Sequence, residues 1–302
     1  MVWLFVALGA YFLLAGAALI DKFLLAGKLD DPKIYAFYVG ILSSAAFLLL
    51  PFGFWGDPPP LVFVFGIAAG ASQIFGCYFY FSALKKMEAA RAVPAVGSLV
   101  PIAAFFLTAL ASGGEAVLTQ NELAGFFLLI AGGWMITAKG FLPSKIGLRS
   151  IFLAAFLFAS NVVLAKLVYL QMPFLKGFLL MAFGSTTAAM GFLFFKSVRR
   201  AVFSLKGGHK QGQPNLLFFF GQTMGGSAFL LQSLAVSLAP QANVPVINAL
   251  AGAQYVFIFI FSLFLAKHFP KVFIRKKSPT VLAQKIIAIL LIIIGLVIFA
   301  AD

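Results

Sequence analysis

The stretch VWLFVALGAYFLLAGAALI, from Val2 to Ile20, contains nineteen residues and no charged side chain. A helix needs about 20 apolar residues to cross a hydrocarbon core roughly 30 Å thick. Nine further stretches have a similar length and character: 34–54, 61–84, 92–111, 123–138, 151–170, 174–195, 216–238, 244–266 and 283–300. Strands of a membrane β-barrel are shorter and alternate in polarity. We therefore predict an all-α polytopic membrane protein with ten transmembrane helices.

The basic residues lie in alternate gaps between these stretches. Of the 22 Lys and Arg residues, 20 follow an odd-numbered stretch, and only Lys166 and Lys176 lie on the other side. Orientation follows Lys and Arg in short loops, which stay in the cytoplasm. We therefore expect cytoplasmic basic loops, both termini outside, and a bacterial or archaeal cell membrane as the location. The same loops are expected to contact anionic lipid head groups.

Composition excludes several classes of protein. Residues are 63% hydrophobic and 10% charged, with a mean hydropathy of +1.06, whereas about a quarter of the residues in a soluble domain are charged. The net charge of +14 is spread over five short loops, so nucleic-acid binding is not expected. The only cysteine, Cys77, lies in an apolar stretch and cannot form an internal disulfide. Neither His209 nor His268 lies at membrane depth, and no metal-ligand motif is present, so we predict no enzyme, metal site or cofactor.

Two parts of the chain resemble each other. Residues 82–108 align with residues 233–260 at an offset of 152, and residues 20–24 align with residues 164–168 at an offset of 144. We therefore predict two repeats, residues 1–142 and residues 143–302, with five helices each. An odd number of crossings inverts the second repeat. Inverted repeats of this type place a substrate site near the midplane and exchange conformations to give alternating access.

The first repeat contains a series of short motifs: Phe81-Ser82-Ala83-Leu84, Ala89-Ala90-Arg91-Ala92, Leu99-Val100-Pro101-Ile102, Gly114-Glu115-Ala116-Val117-Leu118-Thr119, and a glycine-containing run from Gly125 to Gly132. Together these motifs resemble the EamA repeat of the drug/metabolite transporter superfamily. In the second repeat, Lys267 replaces Glu115 and Ala253 replaces Pro101. The orientation predicted from the basic residues also differs from that of the family, because related nucleotide-sugar transporters have both termini in the cytoplasm. The resemblance implies ten helices in two repeats and a secondary transporter or facilitator of small organic solutes, such as amino acids.

Polar residues at membrane depth are the candidate substrate ligands. Such residues usually face the bundle interior, because lipid offers no hydrogen-bond partner. The candidates are Gln73, Tyr80, Ser98, Asn161, Gln222, Gln232, Asn248 and Tyr255. The alternative for each residue is a packing contact between helices.

Four further residues are candidate gating residues. Pro94 and Pro101 interrupt the backbone hydrogen bonds of one helix and act either as hinges or as fixed kinks. Lys22 and Lys166 occupy matching positions in the two repeats. They either snorkel to opposite interfaces or form a pair of cationic gates.

The ten stretches contain no Asp or Glu at mid-depth. Small multidrug resistance relatives use a buried carboxylate to exchange protons for hydrophobic cations, so that mechanism is disfavoured. A neutral, zwitterionic or anionic solute fits better. We predict a transporter working by alternating access, and the alternative is a membrane-embedded binding or assembly protein without transport. The sequence is compatible with a monomer. It does not indicate the substrate, the direction of transport or the coupling ion.

Overall fold

In a computed structural model, the chain is described for residues 2–24, 31–52, 58–86, 89–115, 118–137, 145–203, 216–268 and 279–301, and all regular structure in these ranges is helical. The α-helices are α1 (Val2–Leu24), α2 (Pro32–Leu42), α3 (Pro60–Lys86), α4 (Ala89–Ala111), α5 (Gln120–Thr137), α6 (Lys145–Tyr169), α7 (Phe174–Gly191), α8 (Lys196–Phe203), α9 (Leu216–Leu238), α10 (Val244–Ala249), α11 (Ala251–His268) and α12 (Pro279–Ala301). A 3₁₀ segment, Ser43–Phe52, continues α2.

The prediction of an all-helical membrane protein is confirmed, but the count of ten spanning helices is not. Among the described residues, five spans are long and apolar enough to cross a membrane: Val2–Ile20, Pro32–Phe52, Pro60–Lys85, Gly147–Tyr169 and Phe174–Phe194. Three further apolar helices are shorter, Ala95–Ala111, Thr223–Leu238 and Ile286–Ile298.

One predicted span, residues 244–266, is not a single helix. It is divided at Leu250 into α10, of six residues, and α11, of 18 residues. The hydroxyl group of Tyr11 donates a hydrogen bond of 2.7 Å to the carbonyl oxygen of Ile247, close before the break. A side chain that inserts into the backbone hydrogen-bond ladder is an established cause of such a kink.

The second predicted span, residues 34–54, is not a single α-helix either, because it changes from the α-helix α2 to a 3₁₀ helix at Ser43. The hydroxyl groups of Ser43 and Ser44 donate to the carbonyl oxygens of Val39 and Ile41, at 3.3 and 2.6 Å. Such hydrogen bonds back to the preceding turn compete with the helix ladder and bend helices. The chain continues beyond these serines as the 3₁₀ segment, which contains no buried residue.

Helices from the first half of the chain pack mainly on helices from the second half. The most extensive contacts are those of α3 with α6, α1 with α9, and α5 with α12. In addition, α4 packs on α6 and α11 packs on α1. The largest buried cluster accordingly contains residues from both halves, among them Tyr11, Leu129, Ile247 and Ile292.

The backbones of α3 and α7 approach each other closely at two glycines. A Cβ atom on Gly184 would lie 2.7 Å from the carbonyl oxygen of Ile67, and one on Gly70 would collide with the backbone of Met181 and Ser185. The hydroxyl of Ser185 also donates to the carbonyl oxygen of Gly70, at 3.1 Å. Small residues allow such contacts between membrane helices.

We expect Gly184→Ala to lower the stability of the protein by about 1–3 kcal/mol, because the added methyl group meets rigid backbone. Gly9→Ala is the matched control, since a Cβ atom there meets nothing within 4 Å. It should be neutral or stabilise the helix by about 0.5–1 kcal/mol. Thermal unfolding in detergent measures both variants. Equal melting temperatures for the two variants would contradict the close approach of α3 and α7.

Candidate functional site

The bundle contains a cavity with a volume of about 1290 Å³. Its described lining comes from α1, α3, α4, α6, α7, α9, α10, α11 and the 3₁₀ segment with the end of α2, and includes no Asp, Glu, Lys or Arg. Most of the lining side chains are apolar. Neither α5 nor α12 contributes to this lining, so the pair packs outside the cavity.

A hydrogen-bonded network crosses three helices in the wall of the cavity. The amide nitrogen of Gln232 on α9 donates to the hydroxyl oxygen of Tyr11 on α1, at 3.2 Å. Tyr11 in turn donates to the carbonyl oxygen of Ile247 on α10. This network therefore joins the first half of the chain to the second. It also provides a hydrogen-bond donor to the carbonyl oxygen of Ile247, close before the helix break.

Asn248 provides an unpaired hydrogen-bond donor in the same wall. Its side chain is 7% exposed and lines the cavity. Its amide nitrogen, Nδ2, has no hydrogen-bond partner among the described residues. A buried polar group without a partner costs about 1–3 kcal/mol. A ligand that brings an acceptor to this nitrogen would recover that free energy.

Asn161 lines the cavity but already has a partner. Its amide nitrogen donates to the carbonyl oxygen of Ala69 on α3, at 2.9 Å. The neighbouring carbonyl, that of Gly70, accepts from Ser185 on α7. These two bonds hold α3 between α6 and α7, so both side chains have a structural role at the cavity wall.

Two tyrosines line another part of the wall. The ring of Tyr80 packs edge to face on Phe158, with centroids 6.2 Å apart. The hydroxyl of Tyr255 lies next to Gly97, where a Cβ atom would stand 3.4 Å from it. All four of these residues line the cavity.

Most of the predicted ligands line this one cavity: Gln73, Tyr80, Asn161, Gln232, Asn248 and Tyr255. Ser98 is not part of it, and its hydroxyl donates to Ala95 within α4. Pro101 is buried in α4 but also lies outside the lining. The side chains of Gln222, Pro94 and Lys22 lie outside the described part of the structure.

Several polar residues of the wall are absent from the predicted set: Tyr11, Ser43, Ser185, Thr223, Ser227, Ser233 and Gln254. Tyr11 is the most informative of these omissions. It lies at the middle of the first apolar stretch, so the rule that selected Tyr80 and Tyr255 would also have selected it.

Lys166 is held by backbone carbonyl oxygens. Its side chain is 4% exposed and does not line the cavity. Its ammonium group donates to the carbonyl oxygen of Ser237, at 3.1 Å, and to that of Ala239. These carbonyls belong to the end of α9, where backbone oxygens lack helical partners and carry partial negative charge. Lys166 therefore caps α9.

No protein-family model matches the chain, and no curated protein matches it. A solved structure described as "Crystal structure of protein" is similar to it, with a TM-score of 0.68 and 20% sequence identity. The similarity covers 98% of this chain and 96% of that one. At this identity the likeness concerns the fold alone, and it extends over the whole length of both chains.

We expect Lys166→Met to destabilise the protein by about 1.5–3 kcal/mol, because charged donors to the last carbonyls of α9 are lost. Lys176→Met is the matched control, since the Lys176 side chain is only partly buried. The melting temperature in detergent should fall clearly for the first variant and little for the second. A capping role for Lys166 would be excluded if both variants have the same melting temperature as the unaltered protein.

Proposed function

We propose that the chain is a secondary transporter or facilitator that moves a small organic solute across the membrane by alternating access. One observation carries this proposal. A cavity of about 1290 Å³ has no described charged lining residue, and its polar groups come from both halves of the chain. Ligand sites are typically concave and apolar with a few converging polar groups. In membrane transporters such sites lie between repeats and are often built on broken helices.

The proposed architecture is two inverted units, residues 1–142 and residues 143–302, with five crossings each. In this scheme α10 and α11 together form one crossing, and the shorter apolar helices form others. Reciprocal packing supports it. The contact of α3 with α6 has its counterpart in that of α9 with α1, and the contact of α4 with α6 has its counterpart in that of α11 with α1. The remaining pair, α5 and α12, would be related by the same inversion.

The chemistry of the wall favours an uncharged or zwitterionic solute. Tyrosine hydroxyl groups and amide side chains offer hydrogen bonds, whereas the described lining provides no carboxylate for exchange of a proton against a cation. An amino acid or a similar metabolite fits these groups. In this proposal Asn248 holds an acceptor group of the solute.

The family and orientation in this proposal rest on the sequence. The EamA-type assignment rests on the motif between Phe81 and Gly132, and the same motif makes metabolite export a candidate activity. The alternation of basic gaps supports cytoplasmic basic loops with both termini outside. Anionic lipid head groups would then contact those loops.

A thermal-shift screen of amino acids, nucleosides, sugars and organic acids should identify a stabilising solute. We expect Asn248→Leu to weaken the affinity for this solute by about tenfold or more, since one hydrogen bond in a desolvated site is lost. Thr108→Val is the matched control. The hydroxyl of Thr108 is also buried without a partner, but it lies outside the cavity lining.

The unliganded Asn248→Leu protein should be at least as stable as the unaltered protein, because an unpaired donor is removed. The control should retain the affinity for the solute. Equal affinities of the two variants would exclude Asn248 as a ligand.

The transport step is tested by uptake of the same solute into proteoliposomes. We expect saturable uptake above that of protein-free liposomes, and slower uptake by Gln73→Ala, because Gln73 lines the cavity. Binding without uptake would contradict transport and identify the chain as a membrane-embedded binding or assembly protein.

A further inference from the structure

The cavity reaches the surface of the bundle on one side. Its lining includes residues of two edges, one at the end of α2 and in the 3₁₀ segment and the other on α9: Leu42, Ser43, Ala45, Ala46, Leu48 and Leu49 on the first, and Thr223, Gly226, Ser227, Phe229 and Leu230 on the second. Several of these side chains are also exposed: Leu48 by 79%, Leu42 by 50% and Phe229 by 37%. We call the gap between these two edges the lateral opening.

The packing of the bundle is asymmetric at this place. Elsewhere in the bundle, α3 packs along α7 with backbones in contact at Gly70 and Gly184. The counterpart pair in the inverted arrangement is α9 with α2, and it has no comparable packing among the described residues. Between α9 and α7, a contact of the rings of Phe178 and Phe229, with centroids 6.1 Å apart, borders the gap.

Both edges of the lateral opening are formed by apolar segments. Residues 42–49 lie within the apolar span Pro32–Phe52, and residues 223–230 lie in the middle of α9. Both edges therefore belong to segments that would lie in the hydrocarbon of a membrane. A molecule that passes between them would enter or leave through the lipid.

Neither edge of the opening is a tightly packed α-helix. The 3₁₀ segment runs for ten residues, whereas runs longer than three or four residues are uncommon and a 3₁₀ stretch within a helix often marks a hinge. On the other edge, a Cβ atom added to Gly225 or Gly226 would meet nothing within 4 Å. The opening therefore has space on the side of α9 and a deformable wall on the side of α2.

The shape and chemistry of the cavity match a molecule with two different ends. Its volume of about 1290 Å³ exceeds the roughly 300–1,000 Å³ that is usual for drug-sized ligands. Hydrogen-bonding groups gather around Tyr11, Gln232 and Asn248, whereas Leu42, Leu48 and their neighbours make the opening apolar. Free polar metabolites would leave much of this apolar wall without contact.

We infer that the ligand of the cavity is an amphiphile, with an uncharged hydrogen-bonding head group and an apolar chain, that enters from the bilayer through the lateral opening. The head group binds at Tyr11, Gln232 and Asn248, and the chain lies toward residues 42–49. This inference rests on the proposed function, because it concerns the same cavity, and it names the class of substrate and its route.

Photo-crosslinking in liposomes tests the inference with 1-oleoylglycerol as the probe, since it has a neutral head group and one acyl chain. The crosslinker p-benzoylphenylalanine replaces Phe158 or Phe178, which line the cavity. Two adjacent residues of α5 are controls: Phe126, which is 2% exposed, and Phe127, which is 57% exposed. We expect adducts with 1-oleoylglycerol at a cavity position and at Phe127, but none at Phe126.

Closing the opening should remove the cavity adduct selectively. Gly226→Trp places a large ring where the structure leaves space, so we expect loss of the adduct at Phe158 and Phe178 while the one at Phe127 persists. The inference is overturned if both cavity positions lack an adduct while Phe127 has one, or if Gly226→Trp leaves the cavity adducts unchanged. Uptake of a water-soluble solute in the absence of cavity adducts would leave the proposed function intact and reject the amphiphile.

Discussion

Polar groups at membrane depth must find hydrogen-bond partners inside the protein, since hydrocarbon offers none. This constraint explains two contacts inside the bundle. Tyr11 bonds to the carbonyl of Ile247 beside a helix break, and Lys166 bonds to the free carbonyls at the end of α9. Against this background the unpaired amide nitrogen of Asn248 stands out. Its position in the wall of the cavity is the main reason to propose that a ligand binds there.

Glycines have different surroundings in two pairs of helices. At Gly70 and Gly184, the backbones of α3 and α7 lie against each other. On α9, a Cβ atom at Gly225 or Gly226 would meet nothing within 4 Å, and α2 changes to a 3₁₀ segment at Ser43 and Ser44. The proposed lateral opening therefore follows from local sequence differences between helix pairs that correspond in the proposed inverted arrangement.

The sequence predicted the helical membrane class, because apolar stretches of spanning length are typical of transmembrane helices. The rule for polar residues at depth selected Gln73 and Gln232, which do line the cavity, and applied fully it would have included Tyr11. Two features could not be read from the sequence. The break at Leu250 accompanies a hydrogen bond between residues 236 positions apart, and the cap formed by Lys166 depends on where α9 ends in space. Both are tertiary contacts that no local pattern encodes.

Topology is the most direct test of the central claim, that two inverted five-helix units enclose one cavity. In a Cys77→Ser background, single cysteines at Val2, Ser204 and Asp302 can be labelled in cells with a membrane-impermeant maleimide. The account predicts that the cysteines at Val2 and Asp302 react from outside, and that the one at Ser204 reacts only after permeabilisation. Termini that label from opposite faces would mean an odd number of crossings and would contradict the inverted arrangement.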